Sequence, residues 1–173
     1  MPPTRPGEAD SAPDEHQLQR LILEILDENH LMSVATVRSD GWPQVTIVNY
    51  LRKGHALYFV TARQSQKYAN LIRDPRVSVA IGGGGEAGAT RGLSMAARAT
   101  EVLDASQIKD INHLIGLRAK DRAFKPHPLS NLVAVMELRP QIISVVDYSA
   151  PPGRRDLLQV IEEWRVRPLA DER

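Results

Sequence analysis

Apolar residues recur along this chain with two different periods, and the change of period predicts its elements. Leu18, Leu21, Ile22, Ile25 and Leu26 fall on one helical stripe. Asp14 is placed to cap that helix, Gln17 to complete a capping box, and Asn29 and His30 to end it. From residue 31 the period shortens. "LMSVATV" is β-branched and short, and "SDGWP" supplies a hairpin turn. "QVTIVNYL" predicts a second strand, "RKGH" a turn and "ALYFVT" a third strand. "KYANLIRD" has room for two helical turns before Pro75 stops it. "VSVAI" alternates, and "LSMAARATEVL" sets Leu93, Met95, Ala97 and Ala99 against Ser94, Arg98 and Thr100 on the opposite face. Residues 105 to 120 read as helix and "AFKPHPLS" as loop. "LVAVMEL" and "QIISVVDY" read as two strands parted by Pro140, and "RRDLLQVIEEWRV" as a short amphipathic helix carrying Trp164.

Short strands joined mostly by tight turns imply an antiparallel sheet that curls to bury one face. The fold class is therefore mainly β with flanking helices, a small antiparallel barrel of six to seven strands. Side chains fill a barrel this small, so a large ligand must use an outer groove. Such a groove deepens most readily where two subunits meet. Residues 14–166 make the single domain, after a Pro-rich lead-in, 1–13, expected to be disordered, and before a flexible end, 167–173.

Composition narrows the chemistry. The 173 residues contain no internal repeat, and an apolar fraction of 42% suffices for a core. Lys+Arg number 22 against 21 Asp+Glu, so no global field recruits nucleic acid or anionic lipid. Cysteine is absent, which removes thiolate catalysis, disulfides and Cys-based metal sites. With no apolar run of membrane-spanning length and no signal-like start, the expectation is a cytoplasmic protein.

The stretch "TARQSQK", Thr61 to Lys67, carries the sharpest chemical question. A helix beginning near Ser65 would put Lys67 in its first turn, where the positive end of the helix dipole disfavours a cation. An anion held by the free N–H groups, Ser65 and Lys67 would reverse that cost. The alternative is that Ser65 only caps while Lys67 reaches solvent. Gly82 to Gly85 lack a phosphate-loop pattern and read as a loop able to fold over a ligand. His16, His30, His55, His113 and His127 have no metal-ligand spacing, and no Ser stands in a nucleophile elbow. Arg118, Lys120, Arg122 and Lys125 form a basic segment, 118–127, read either as a solvated face or as a rim for an acidic substrate. Trp42 and Trp164 read as packing anchors.

The order of these segments resembles the pyridoxamine 5′-phosphate oxidase-like family, the FMN-binding split barrels. The likeness covers roughly residues 30 to 150. It rests on "DG-x-P" in the first hairpin, "YF-x-T" ending the third strand, "S-x-K" opening the helix, "DPRVSVAI", "RGLSMAARATEV" and "ELRPQIISVVDYS". The resemblance implies a split barrel and a homodimer with FMN at the subunit interface. It assigns the cofactor's phosphate to Thr61, Ser65, Gln66 and Lys67, and the flavin ring to Thr46, Ile47, Val48 and Asn49. The true oxidases have Arg where Thr46 and Gln66 stand and Gln about where Gly92 stands, and their C-terminal Arg/His pattern is not recognisable here. These departures argue against pyridoxamine phosphate as substrate. The resulting expectation is an FMN-dependent oxidoreductase acting on an unknown small molecule, with no residue assigned a catalytic role. A deazaflavin-dependent reductase and a non-catalytic flavin- or haem-binding module are the alternatives.

Overall fold

A computed structural model of the chain describes residues 14–83, 90–118, 131–149 and 153–169. The lead-in 1–13, most of the glycine loop, the basic segment beyond Arg118 and the last four residues lie outside the described residues.

The first helix, α1 (Glu15–Glu28), is capped by Asp14, whose Oδ1 accepts from Gln17 N at 2.7 Å, the Asp14 half of the expected capping box. Its stripe of Leu18, Ile22, Ile25 and Leu26 is buried against the sheet. Then follow β1 (Leu31–Val37), β2 (Pro43–Asn49), β3 (Leu51–Lys53) and β4 (Ala56–Ala62). The short helix α2 (Gln66–Arg73) leads to β5 (Arg76–Gly82), β6 (Arg91–Glu101), α3 (Ala105–Arg118) and β7 (Val133–Asp147). A hairpin of β8 (Arg154–Glu162) and β9 (Arg165–Pro168) ends the fold. All ladders are antiparallel, in the order β2-β1-β5-β6-β7-β4-β3, with β8 on β7 and β9 on β8.

The sheet curls without closing. Strands β2 and β4 approach each other with no ladder between them, and this gap is the split. Inside lie Met32, Val34, Phe59, Met136, Leu138 and Ile143, all essentially inaccessible to solvent. Side chains thus fill the barrel, as its size requires.

Three expectations need correction. The sheet has nine strands among the described residues rather than six or seven. One extra strand arises because "QVTIVNYL" breaks at Tyr50, whose N–H leaves the ladder for the His30 carbonyl and whose buried hydroxyl donates to the Leu26 carbonyl at 2.7 Å. Second, Pro140 does not end a strand. It sits inside the 15-residue β7, opposite Ala97, and the register shifts there by one residue, a bulge. On the other edge β7 exchanges its partner β4, paired through Leu138, for β8, paired from Ile142. A residue with no N–H is tolerated where no ladder bond is required.

Third, "RRDLLQVIEEWRV" is not a helix but the β8–β9 hairpin. Its helical spacing of apolar residues loses to the free edge of β7, which offers a ladder from Ile142 to Asp147. The turn was illegible because Glu163 and Trp164 hold φ of 45° and 66°, a conformation normally signalled by Asn or Gly. Tertiary contacts hold it: Trp164 is buried, its Nε1 donates to the Gly54 carbonyl at 2.6 Å, and Gln19 Nε2 donates to the Glu163 carbonyl.

Candidate functional site

Helix α2 spans the split. From its buried inner face Asn70 Nδ2 donates to Thr36 Oγ1 on β1 and to Gln44 Oε1 on β2, both at 3.0 Å. Helix α2, which follows β4 on one side of the open seam, is thereby tied to the β1–β2 pair on the other. Thr61, 6% exposed, is the last inward residue of β4, and its Oγ1 lies 3.1 Å from Ser65 Oγ. Ser65 is the N-cap: its Oγ accepts from Tyr68 N at 3.2 Å and donates to the Ala62 carbonyl at 2.7 Å. Two hydroxyls and the first-turn amides of Gln66 and Lys67, without an acceptor among the described residues, thus converge on one turn.

Lys67 does not stretch into solvent. Its Nζ lies 5.3 Å from the ring centroid of Phe59, a core residue, so the ammonium turns inward over the barrel's end. Burial pulls its pKa below the ordinary lysine value. Among the described residues no carboxylate pairs with it. A half-buried, unpaired ammonium at the positive end of a helix is an arrangement that an anion would relieve.

The other predicted residues divide. Gln66 is at the turn, but its Nε2 donates along the helix to Asn70 Oδ1 at 2.9 Å. On β2, Thr46 and Val48 face inward and Ile47 and Asn49 outward, so the four consecutive positions address two different surfaces. The Thr46 hydroxyl is buried with no hydrogen-bond partner among the described residues and is suited to a polar ligand group. Ile47 is 70% exposed and Val45 62%, unusual for β-branched apolar residues in mid-strand. Gly92 is in close backbone approach to β5: a Cβ there would meet the Ile81 carbonyl oxygen at 2.9 Å, which excludes a larger residue at that position.

The structure also gathers residues that the sequence reading did not single out. Arg63 donates to both the Tyr68 hydroxyl, at 2.7 Å, and Glu101, and the Tyr68 hydroxyl donates to Glu101 Oε2 at 2.8 Å. The signal for Glu101 was its parity: it continues the inward series Leu93, Met95, Ala97 and Ala99, where a carboxylate requires a partner. Asn70 could have been noticed as an amide on the buried face of α2 beside Leu71. Trp42, expected to pack, is 71% exposed at the tip of the β1–β2 hairpin. With the Arg38–Asp40 ion pair, Pro43 and Gln44 it lines a cavity of about 350 Å³. His16, His30, His55 and His113 are exposed, and no group of metal-ligating side chains occurs among the described residues.

Comparison with known proteins bears on this arrangement. The family model for pyridoxamine 5′-phosphate oxidase matches residues 18–147, three-quarters of the chain. The chain belongs to this family. No curated protein matches it significantly. Among solved structures, one from Listeria innocua described as a pyridoxamine 5′-phosphate oxidase is 26% identical, with a TM-score of 0.62 over 74% of this chain and 97% of that one. General stress protein 26 from Bacillus anthracis is 18% identical (TM-score 0.63, 83% and 99% covered), and an F420 reductase 23% identical (0.57, 70% and 94%). These last two share the fold. Family membership accounts for the split barrel, and no described helix is long and apolar enough to cross a membrane.

Proposed function

We propose that the protein is an FMN-dependent oxidoreductase of small molecules that works as a homodimer. The observation that carries the reading is Lys67: an ammonium turned over Phe59 at the start of α2, unpaired among the described residues, beside Thr61 and Ser65. The residues fit the cofactor. Thr61, Ser65 and Lys67 would hold its phosphate, and Thr46 and Val48, on the inward face of β2, would line its ring, with the orphaned Thr46 hydroxyl gaining a partner. A bound flavin supplies hydride transfer at its N5 atom. The chain's own task is placement: Asn70 locks α2 to Thr36 and Gln44, so the turn keeps its geometry when the cofactor arrives.

The dimer reading rests on the outer face of the sheet. Val45 and Ile47 border a floor of small residues, Ser33, Ala35, Ser78 and Ala80, brought side by side by the β2–β1–β5 register. A solvent-facing surface of small side chains bordered by exposed Val45 and Ile47 suits a second copy of the chain. Ile47 and Asn49, which face away from the turn, could then line a cofactor seated between two copies.

The test is Lys67→Ala. Its FMN affinity, followed by quenching of flavin fluorescence, is expected to weaken by about 1.5–3 kcal/mol, the range for a hydrogen bond to a charged group. Equal affinity in variant and wild type removes Lys67 from the site. A second reading, a deazaflavin used as an exchangeable cosubstrate, is favoured by one observation: the side chain of Gln66 is neutral and already engaged by Asn70, which leaves few strong contacts for a resident phosphate. Freshly purified protein that stays yellow through gel filtration would count against it.

A further inference from the structure

The turn that would grip the phosphate contains two cations, and the fold withholds one of them. Arg63 lies between Thr61 and Ser65, and its backbone N–H is anchored to the Leu132 carbonyl at 2.9 Å. Its guanidinium lies over the Tyr68 ring, 5.4 Å from the centroid, alongside the first turn of α2. It nevertheless points to Glu101, which arrives from the end of β6 with a side chain only 12% exposed. Glu101 has both oxygens engaged, one by Arg63 and one by the Tyr68 hydroxyl, so the carboxylate is held by two donors. Lys67 is left as the turn's cation that no described carboxylate neutralises.

We infer that Glu101 is a positioning residue that sets the charge of the anion site, holding Arg63 away so that a single lysine faces the ligand's phosphate. This rests on the cofactor reading above and deepens it. The site would bind a phosphorylated flavin through one cation and keep a second in reserve. Affinity for the phosphate is then lower than the turn's composition would allow.

The experiment compares FMN with riboflavin, which lacks the phosphate, in wild type, Glu101→Gln, Arg63→Gln and the double variant. Glu101→Gln is isosteric and keeps an acceptor for Tyr68, but it removes the charge that claims Arg63. It is expected to bind FMN about tenfold tighter, as one added charge-assisted contact allows, with riboflavin affinity unchanged. FMN binding should also fall more steeply with added salt. Arg63→Gln alone should leave FMN affinity within about twofold, and adding it to Glu101→Gln should abolish the gain. A purely structural role for Glu101 would instead weaken FMN and riboflavin alike. Unchanged or weaker FMN binding in Glu101→Gln, or a gain that survives in the double variant, overturns the inference. Should Glu101→Gln fail to fold, a marked loss of FMN in Arg63→Gln overturns it by showing Arg63 already at the phosphate. Wild type that takes no FMN defeats the cofactor reading, and the inference with it, whereas wild-type binding without the Glu101→Gln gain defeats the inference alone.

Discussion

An Arg–Glu–Tyr triad stands near each end of β4. In one, the Tyr58 hydroxyl donates to Glu137 Oε2 at 2.7 Å while Arg139 donates to the other carboxylate oxygen. In the other, Arg63 and Tyr68 share Glu101 in the same manner. The parts match, but their surroundings do not. Tyr58 is roofed by α3 and lies in a second apolar cluster with Leu51, Val102, Ile111 and Val135, Glu137 is buried beside it, and only Arg139 reaches solvent. Burial, with the hydrogen bond to Glu137, pushes the Tyr58 pKa up to about 12. Burial raises the Glu137 pKa, but its bonds to Arg139 and Tyr58 outweigh that, and the carboxyl ends below its ordinary value. The Tyr68 triad borders Thr61, Ser65 and the unpaired Lys67. A largely buried carboxylate with both oxygens satisfied is thus not by itself a functional sign. What distinguishes the second is the set of unfulfilled groups next to it.

The contrast can be broken by mutation, and the largest effect should fall on the structural triad. Glu137→Ala leaves the Tyr58 hydroxyl without its acceptor beneath α3, with only the long bond it accepts from Gln107, and should cost about 2–3 kcal/mol of stability in urea unfolding, with FMN affinity unchanged. Flavin loss comparable to that of Lys67→Ala would erase the distinction. Tyr58→Phe should cost less, about 1–1.5 kcal/mol near neutral pH. Its sign with pH follows from linkage: a group whose folded pKa is raised stabilises below its unfolded value and loses that contribution as pH climbs. The advantage of wild type over Tyr58→Phe is therefore expected intact below pH 10 and shrinking as pH approaches about 12, which unfolding curves at stepped pH would reveal.

On the site side the effects are on binding. Burial makes Lys67 titrate below the ordinary lysine value, and only its protonated form attracts a phosphate. FMN affinity should hold steady around neutrality and drop several-fold as pH rises toward that value, while Lys67→Arg should flatten the curve. A wild-type curve with no alkaline fall would detach the lysine from the ligand. The smallest change belongs to Tyr68→Phe. Arg63 still pairs with Glu101 when the hydroxyl is gone, so FMN affinity should move by less than about twofold. A larger gain would mean that Tyr68, rather than Glu101, restrains Arg63.

Much of this was legible in the chain. The capped α1, the alternation of β5 and β6, and the Ser65 cap are local patterns whose physical causes lie within a few residues. Where the sequence misled, the deciding interaction was distant. "RRDLLQVIEEWRV" pairs with β7 through a turn held by Gly54 and Gln19. Pro140 is accommodated because β7 changes neighbours there. Of the predicted site residues, Thr61, Ser65, Gln66 and Lys67 do share one turn, while the β2 residues divide between two faces that strand parity alone could have forecast.

Residue order by itself dictated a small antiparallel β fold, the family to which it belongs, and a hydroxyl- and cation-bearing turn at a helix start. The fold class and the turn follow from periodicity, capping and turn chemistry, which act over a few positions, and the family from the order of whole segments. Only the folded chain decided that Lys67 turns inward over Phe59, that Glu101 claims Arg63, and that Thr46 is left without a partner. Each depends on groups 8 to 38 residues apart along the chain, or on a hollow that no single segment encloses. Their meeting is set by sheet register and packing, not by any local preference.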